Sequence, residues 1–88
     1  MVKKSLKITN KTGLHARPAA LLVKTTAKFK SEIKISKDGF EVNGKSIMGV
    51  MTLAAENGSV IEILAEGPDE NEAIQALEEL ISHKFYED

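Results

Sequence analysis

The chain has 88 residues, of which 42% are hydrophobic and 28% charged, with a formal net charge of −1. That length predicts a single domain over residues 1–88, with an ordinary globular balance and too little room for a deep cleft or an enclosed cofactor. The absence of cysteine excludes disulfides, iron–sulfur clusters, thiolate zinc and cysteine nucleophiles, and the two histidines, His15 and His83, lie far apart, so no metal site and no cofactor are expected.

Val2, Leu6 and Ile8 share one parity against Lys3, Ser5 and Lys7, the pattern of a half-buried strand. Asn10-Lys11-Thr12-Gly13 reads as a loop. A helix is predicted over Ala16–Lys28, with Pro18 in its first turn and an apolar stripe of Ala19, Leu22, Val23, Thr26 and Ala27. Glu32–Lys37 is a strand with Ile33 and Ile35 inward. Asp38-Gly39 signals a tight hairpin, so the next strand pairs antiparallel and supplies Phe40 and Val42 to the inner face. Ser46 is an N-cap for a short helix carrying Ile47, Met48, Val50 and Met51, weakened by Gly49. Val60–Glu66 is a further strand with Ile61, Ile63 and Ala65 on one face. Gly67-Pro68-Asp69 opens a last helix, in which Asp69 and Glu72 match a capping box and Ala73, Ile74, Leu77, Leu80 and Ile81 form the buried stripe. Lys84 falls near its end, where the helix dipole favours a cation. The order β-α-β-β-α-β-α predicts an α+β two-layer open-faced sandwich: a four-stranded antiparallel sheet with three helices on one face.

No stretch approaches the ~20 apolar residues of a membrane helix. Met1-Val-Lys-Lys imitates the start of a signal peptide, but Lys7 interrupts the apolar run that would have to follow, so a cytoplasmic location without membrane insertion is expected. Residues 1–45 hold eleven Lys/Arg and three acids, whereas residues 46–88 hold one lysine and ten acids. Such asymmetry gives either a basic and an acidic surface or an even mixture once the halves fold together.

Gly13-Leu14-His15-Ala16-Arg17-Pro18 is the stretch richest in chemistry. His15 lies where loop becomes helix, and the first amides of a helix lack internal partners and attract anions. Arg17 adds a guanidinium able to hold a phosphate by two bonds. A neutral imidazole is a nucleophile. A helix N-terminus and a neighbouring cation favour that neutral form, and they also stabilise a dianionic phosphoryl group once acquired. The bland alternative is a surface histidine that does no more than begin a helix. Ser46 has two readings, a plain N-cap and a phosphorylation site favoured by the dipole. Ile47, Met48 and Met51 are either core or an adaptable docking surface. His83 is read as a favourable charge at a helix end. Asn43-Gly44-Lys45-Ser46 lacks the first glycine of a phosphate loop. Nucleic-acid binding through the basic half is disfavoured, because Phe29, Phe40, Phe85 and Tyr86 form no stacking pair on a strand.

Gly13-Leu14-His15-Ala16-Arg17-Pro18-Ala19 resembles the active-site signature of the HPr family, the histidine-containing phosphocarriers of the bacterial phosphoenolpyruvate:sugar phosphotransferase system. The resemblance covers nearly the whole chain, including Lys45–Met51 and the acidic helix start Pro68–Glu72. It implies a phosphorylated relay protein rather than an enzyme. His15 would accept a phosphoryl group on Nδ1 from phospho-enzyme I, which takes it from phosphoenolpyruvate, and the group would then pass to IIA domains of sugar permeases. Arg17 would assist transfer, with the Ala16 and Arg17 backbone N–H groups as phosphate site. Ser46 would be the regulatory serine of an ATP-dependent HPr kinase/phosphorylase; that form serves as co-repressor for the catabolite control protein and resists phosphorylation at His15. Partner contacts are expected at Thr12, Ala20, Lys24, Ile47, Met48 and Met51, and the last three resemble the Gram-positive type. The paralogue Crh keeps the serine but lacks the histidine, so His15 argues against that identity. A monomer is expected from size.

Overall fold

The computed structural model describes residues 1–87. Its elements run β1 (Val2–Lys7), α1 (Ala16–Thr26), β2 (Glu32–Lys37), β3 (Phe40–Asn43), α2 (Ile47–Thr52), β4 (Val60–Glu66) and α3 (Glu70–Ser82), followed by a 3-10 turn over Lys84–Tyr86. The four strands form one antiparallel sheet in the order β1-β4-β2-β3. This is the open-faced sandwich that the element order predicts. Ile33, Ile35, Ile61, Ile63 and Ala65 are buried on the covered face and join a core with Leu22, Val50, Leu77 and Ile81. The other face stays polar, with ion pairs from Lys3 to Glu62 at 3.5 Å and from Lys34 to Glu32 and Glu41 at 3.5 and 3.8 Å. No helix among the described residues is long and apolar enough to cross a membrane.

The β2–β3 hairpin turns on Asp38 and Gly39, at φ 52° and 83°. Two consecutive positive-φ residues match the right-handed strand twist, and Asp-Gly adopts them at low cost. Val42 sits opposite Ile35 on the covered side and is half-buried. Phe40 does not join the core: it lies opposite Lys37 beside the turn, on an edge strand, and remains 56% exposed. Lys4 shares the covered face of β1 with Val2 and Leu6, opposite Ile63, and its amine reaches Glu78 of α3 at 2.5 Å. An inward charge of this kind is a common guard on an edge strand.

Helix α1 ends at Thr26 rather than Lys28, and Ala27 is exposed. The Lys28 and Phe29 amides bond the carbonyls three residues back, at 3.2 and 3.1 Å, which tightens the last turn and ends the helix. The buried Thr26 hydroxyl turns to the Gly44 carbonyl at 2.8 Å.

Asp69 begins α3 but does not make the expected capping box with Glu72. Its carboxylate instead crosses to the α1–β2 loop, accepting from Lys30 N–H at 2.9 Å, Ser31 N–H at 2.9 Å and the Ser31 hydroxyl at 2.5 Å. Three donors outbid one helix amide. Glu70 takes up the reciprocal role by accepting from Gly67 N–H at 3.1 Å. The Ser31 hydroxyl, ahead of the Lys30 amide, holds the Asp69 carboxyl at about 2, below the ordinary 3.8. Stability linked to this carboxylate is present above the unfolded value near 4 and is lost as pH falls through about 2. Asp69→Asn is therefore expected to lower the melting temperature by several degrees at pH 7, and the gap should close between pH 4 and pH 2. Melting curves across that range check it; a gap independent of pH would dismiss the charge-assisted clasp.

At the chain's end, Lys84 lies beyond α3 rather than in its last turn. His83 occupies the C-cap, with Nδ1 2.8 Å from the Glu79 carbonyl and its ring stacked on Tyr86 at 5.2 Å.

Candidate functional site around the start of helix α1

His15 is the N-cap of α1, with φ −76° and ψ −172°. Its side chain makes no capping bond and is exposed. The first helical bond runs from the Ala19 amide to the His15 carbonyl at 2.8 Å. Pro18 has no N–H, so the amides that this helix start leaves without a helical acceptor are those of His15, Ala16 and Arg17. Pro18 and Ala19 are buried while Ala16, Arg17 and Ala20 face outward, which directs the polar side of the first turn to solvent.

The approach to His15 is rigid. Gly13 has φ 68°, and a Cβ there would lie 2.4 Å from the Ala55 carbonyl oxygen. Leu14 is buried, and its amide donates to that same Ala55 carbonyl at 2.8 Å. From within, the buried Asn10 donates through Nδ2 to the Gly13 carbonyl at 2.9 Å. The loop is thus clamped on both sides before the helix begins.

Two shallow depressions meet at His15. One is lined by His15, Arg17, Lys11, Thr12, Glu56 and Glu87, among others. The second places Met51 and Ala54 beside His15 and Leu14. Two cations and two carboxylates therefore border one concavity. Lys11, Glu56 and Glu87 carried no signal in the sequence; Glu87 reaches Thr12 from 75 positions away.

Ser46 caps α2, its Oγ accepting from the Gly49 amide at 3.0 Å. Gly49 weakens helix propensity, yet a Cβ there would sit 3.3 Å from the Ser46 Cβ and Oγ, so the glycine suits the tight cap. The segment before Ser46 is tied down: Gly44 N–H bonds the Ile33 carbonyl at 2.8 Å, and Lys45 Nζ bonds the Phe29 carbonyl at 2.7 Å. Of the apolar residues of α2 only Val50 is buried; Ile47, Met48 and Met51 remain 44%, 77% and 40% exposed. On α1, Ala16, Ala20 and Lys24 follow one another at four-residue spacing on an exposed face. The structure thus brings Thr12 and Met51 to His15 and leaves Ala20, Lys24, Ile47 and Met48 exposed on the two neighbouring helices. His83 lies apart, at the end of α3.

The charge asymmetry resolves in two ways. First-half lysines on β1 pair with second-half acids, as in Lys3–Glu62 and Lys4–Glu78. Arg17, Lys24 and Lys28 are exposed and take no part in the ion pairs found among the described residues, so the positive side survives along α1.

A family model described as "PTS HPr component phosphorylation site" matches residues 2–83. The phosphocarrier protein HPr of Treponema pallidum is 49% identical over 88 residues, covering 100% of both chains. The HPr-like protein Crh of Halalkalibacterium halodurans is 56% identical over 77 residues, 88% of this chain and 92% of that one. Among solved structures, HPr-C-His from Thermoanaerobacter tengcongensis superimposes with a TM-score of 0.97 at 55% identity, covering 100% of this chain and 99% of that one. With a family model matching residues 2–83 and with sequence identity and fold agreeing over the full length, the chain belongs to the HPr family of phosphocarrier proteins of the phosphotransferase system.

Proposed function

We propose that this protein is a cytoplasmic relay that accepts a phosphoryl group on His15 from phospho-enzyme I and passes it to IIA domains of sugar permeases. The observation that carries this reading is the unused, exposed imidazole of His15 at a helix start, with the Ala16 and Arg17 amides and the Arg17 side chain beside it. In uptake, the Nδ1 lone pair of the neutral ring forms the new N–P bond. The donor's bond to phosphorus breaks, and its electron pair leaves with the donor. The Arg17 guanidinium and the two amides stabilise the transferred charge, and the reverse sequence delivers the group to the acceptor. A histidine open to solvent on a rigid loop suits a protein that must enter other proteins' active sites. The positive face of α1 and the apolar groove at Met51 support docking to an acidic partner surface with an apolar centre. Incubation with enzyme I and labelled phosphoenolpyruvate tests this: the label should be acid-labile and alkali-stable. No label, beside an active control carrier, overturns it.

Ser46 is the regulatory site in this reading, a substrate for an HPr kinase/phosphorylase whose product engages the catabolite control protein. Ser46 begins the short helix α2 that carries the exposed Met48 and Met51. A negative charge there opposes the approach of an acidic donor. Ser46→Asp is expected to slow His15 phosphorylation about tenfold or more at low salt, while Ser46→Ala keeps the rate and loses about 1 kcal/mol of cap stability. Initial rates at limiting enzyme I check this, and an unchanged rate for Ser46→Asp removes the mechanism.

A further inference from the structure

The depression beside His15 is bordered by the far end of the chain. Lys84, Phe85 and Tyr86 have φ 54°, 54° and 55° with no glycine among them. Left-handed backbone costs about 1–2 kcal/mol per residue, so this turn must be held from outside. Phe85 does so from within the core, where it is 1% exposed. The turn delivers Glu87 to Thr12, whose amide donates to the carboxylate at 3.4 Å and whose hydroxyl donates to its second oxygen. The Thr12 hydroxyl in turn lies 3.5 Å from Asn10 Nδ2, the group that also holds the Gly13 carbonyl. The strap is thus continuous with the loop that carries His15. Principally through the Thr12 hydroxyl, the Glu87 carboxyl is held below the usual carboxylate range and stays ionised at neutral pH. The other charged groups on this concavity are Lys11, Arg17, Glu56 and the titratable His15.

A cluster of amides and a guanidinium acting alone would hold a phosphoryl group too well for a carrier, which has to release it. We propose that Glu87, strapped to Thr12, is a charge-setting positioning residue for the carrier reaction: its carboxylate opposes the negative charge gained by His15 and so raises the phosphoryl-transfer potential of the phosphohistidine. This rests on His15 being the acceptor. Glu87 touches no reacting atom; it acts through the field at the site and through the loop.

The test is the phosphorylation equilibrium with enzyme I at a fixed ratio of phosphoenolpyruvate to pyruvate. Glu87→Gln keeps the size and an acceptor for the Thr12 amide but removes the charge. It should shift the equilibrium toward the phosphorylated form by about three- to tenfold at low salt, and the gap should shrink in about 1 M salt. Thr12→Val, which removes the hydroxyl contact to Glu87 but keeps its charge, should shift it the same way by less. Equal equilibria for Glu87→Gln and wild type at low salt, or a gap that salt does not narrow, overturn the proposal and leave the strap a structural anchor. Wild-type protein that takes no label overturns the carrier reading itself, a result distinguishable from either of these.

Discussion

Replacing His15 with alanine is expected to reduce phosphoryl uptake from phospho-enzyme I to background while the melting temperature stays within about 4 °C of wild type. The separation of the two effects follows from the geometry. Alanine is ordinarily a poor N-cap, and replacing a good one costs about 1 kcal/mol. Here the imidazole caps nothing and is exposed, so its removal breaks no bond that holds the helix. The clamp on the loop, from Leu14 N–H to the Ala55 carbonyl, is backbone and survives the substitution. The chemistry has no substitute, since the chain has no cysteine and its only other histidine, His83, is engaged with the Glu79 carbonyl at the far end of α3. His83→Ala should therefore keep full uptake. Label uptake read beside circular-dichroism melts decides the matter. Full labelling of the His15 variant removes His15 as acceptor, and loss of both uptake and fold would mean that the imidazole, and not the backbone alone, holds the helix start.

The parts of this molecule that are legible in the sequence are those set by near neighbours. Strands β2 and β4 fall on their expected residues because their alternation is strict and Gly67 and the Asp38-Gly39 pair punctuate them. The helix start at Ala16 is legible for the same reason: Gly13, His15 and Pro18 each specify a different feature of one turn. The exposure of His15, Ala16 and Arg17 at that start follows as well, since nothing distant is needed to expose them. What the sequence could not supply is long-range. The insertion of β4 between β1 and β2 depends on which strand finds which across more than fifty residues. Asp69 looks like a cap from its neighbours alone, but the Ser31 loop, which only the fold brings near, offers it more donors. Glu87 is the extreme case: an acidic residue near a chain end has no local pattern, and its place beside Thr12 depends on the burial of Phe85. Phe40 fails in the opposite sense. Its parity is right, but parity does not say how far the helix layer extends along an edge strand.

Gly13→Ala is expected to be the most damaging single methyl addition near the site, lowering the melting temperature by about 10–25 °C and slowing phosphoryl transfer as well. Two costs combine. An alanine at φ 68° sits in the left-handed region, at about 1–2 kcal/mol. Its Cβ would also approach the Ala55 carbonyl oxygen to 2.4 Å and the Glu56 Cα to 2.8 Å, both backbone atoms that cannot swing aside. Relieving that overlap costs about a further 1–3 kcal/mol, and each kcal/mol is worth about 4–8 °C in a domain of this size. Gly58→Ala separates the terms. Gly58 has φ 99° with nothing within 4 Å of an added Cβ, so it carries the backbone cost alone and should lose only about 5–10 °C. The excess loss at Gly13 therefore measures the contact with Ala55. That contact lies on the same carbonyl that accepts the Leu14 amide, one residue before His15, so any shift that relieves it moves the acceptor. The transfer rate of the Gly13 variant, measured well below its melting temperature, should fall while that of the Gly58 variant does not. Equal melting losses at the two glycines would show that the loop gives way easily at Ala55, and a normal transfer rate in the Gly13 variant would show that His15 does not need the clamp.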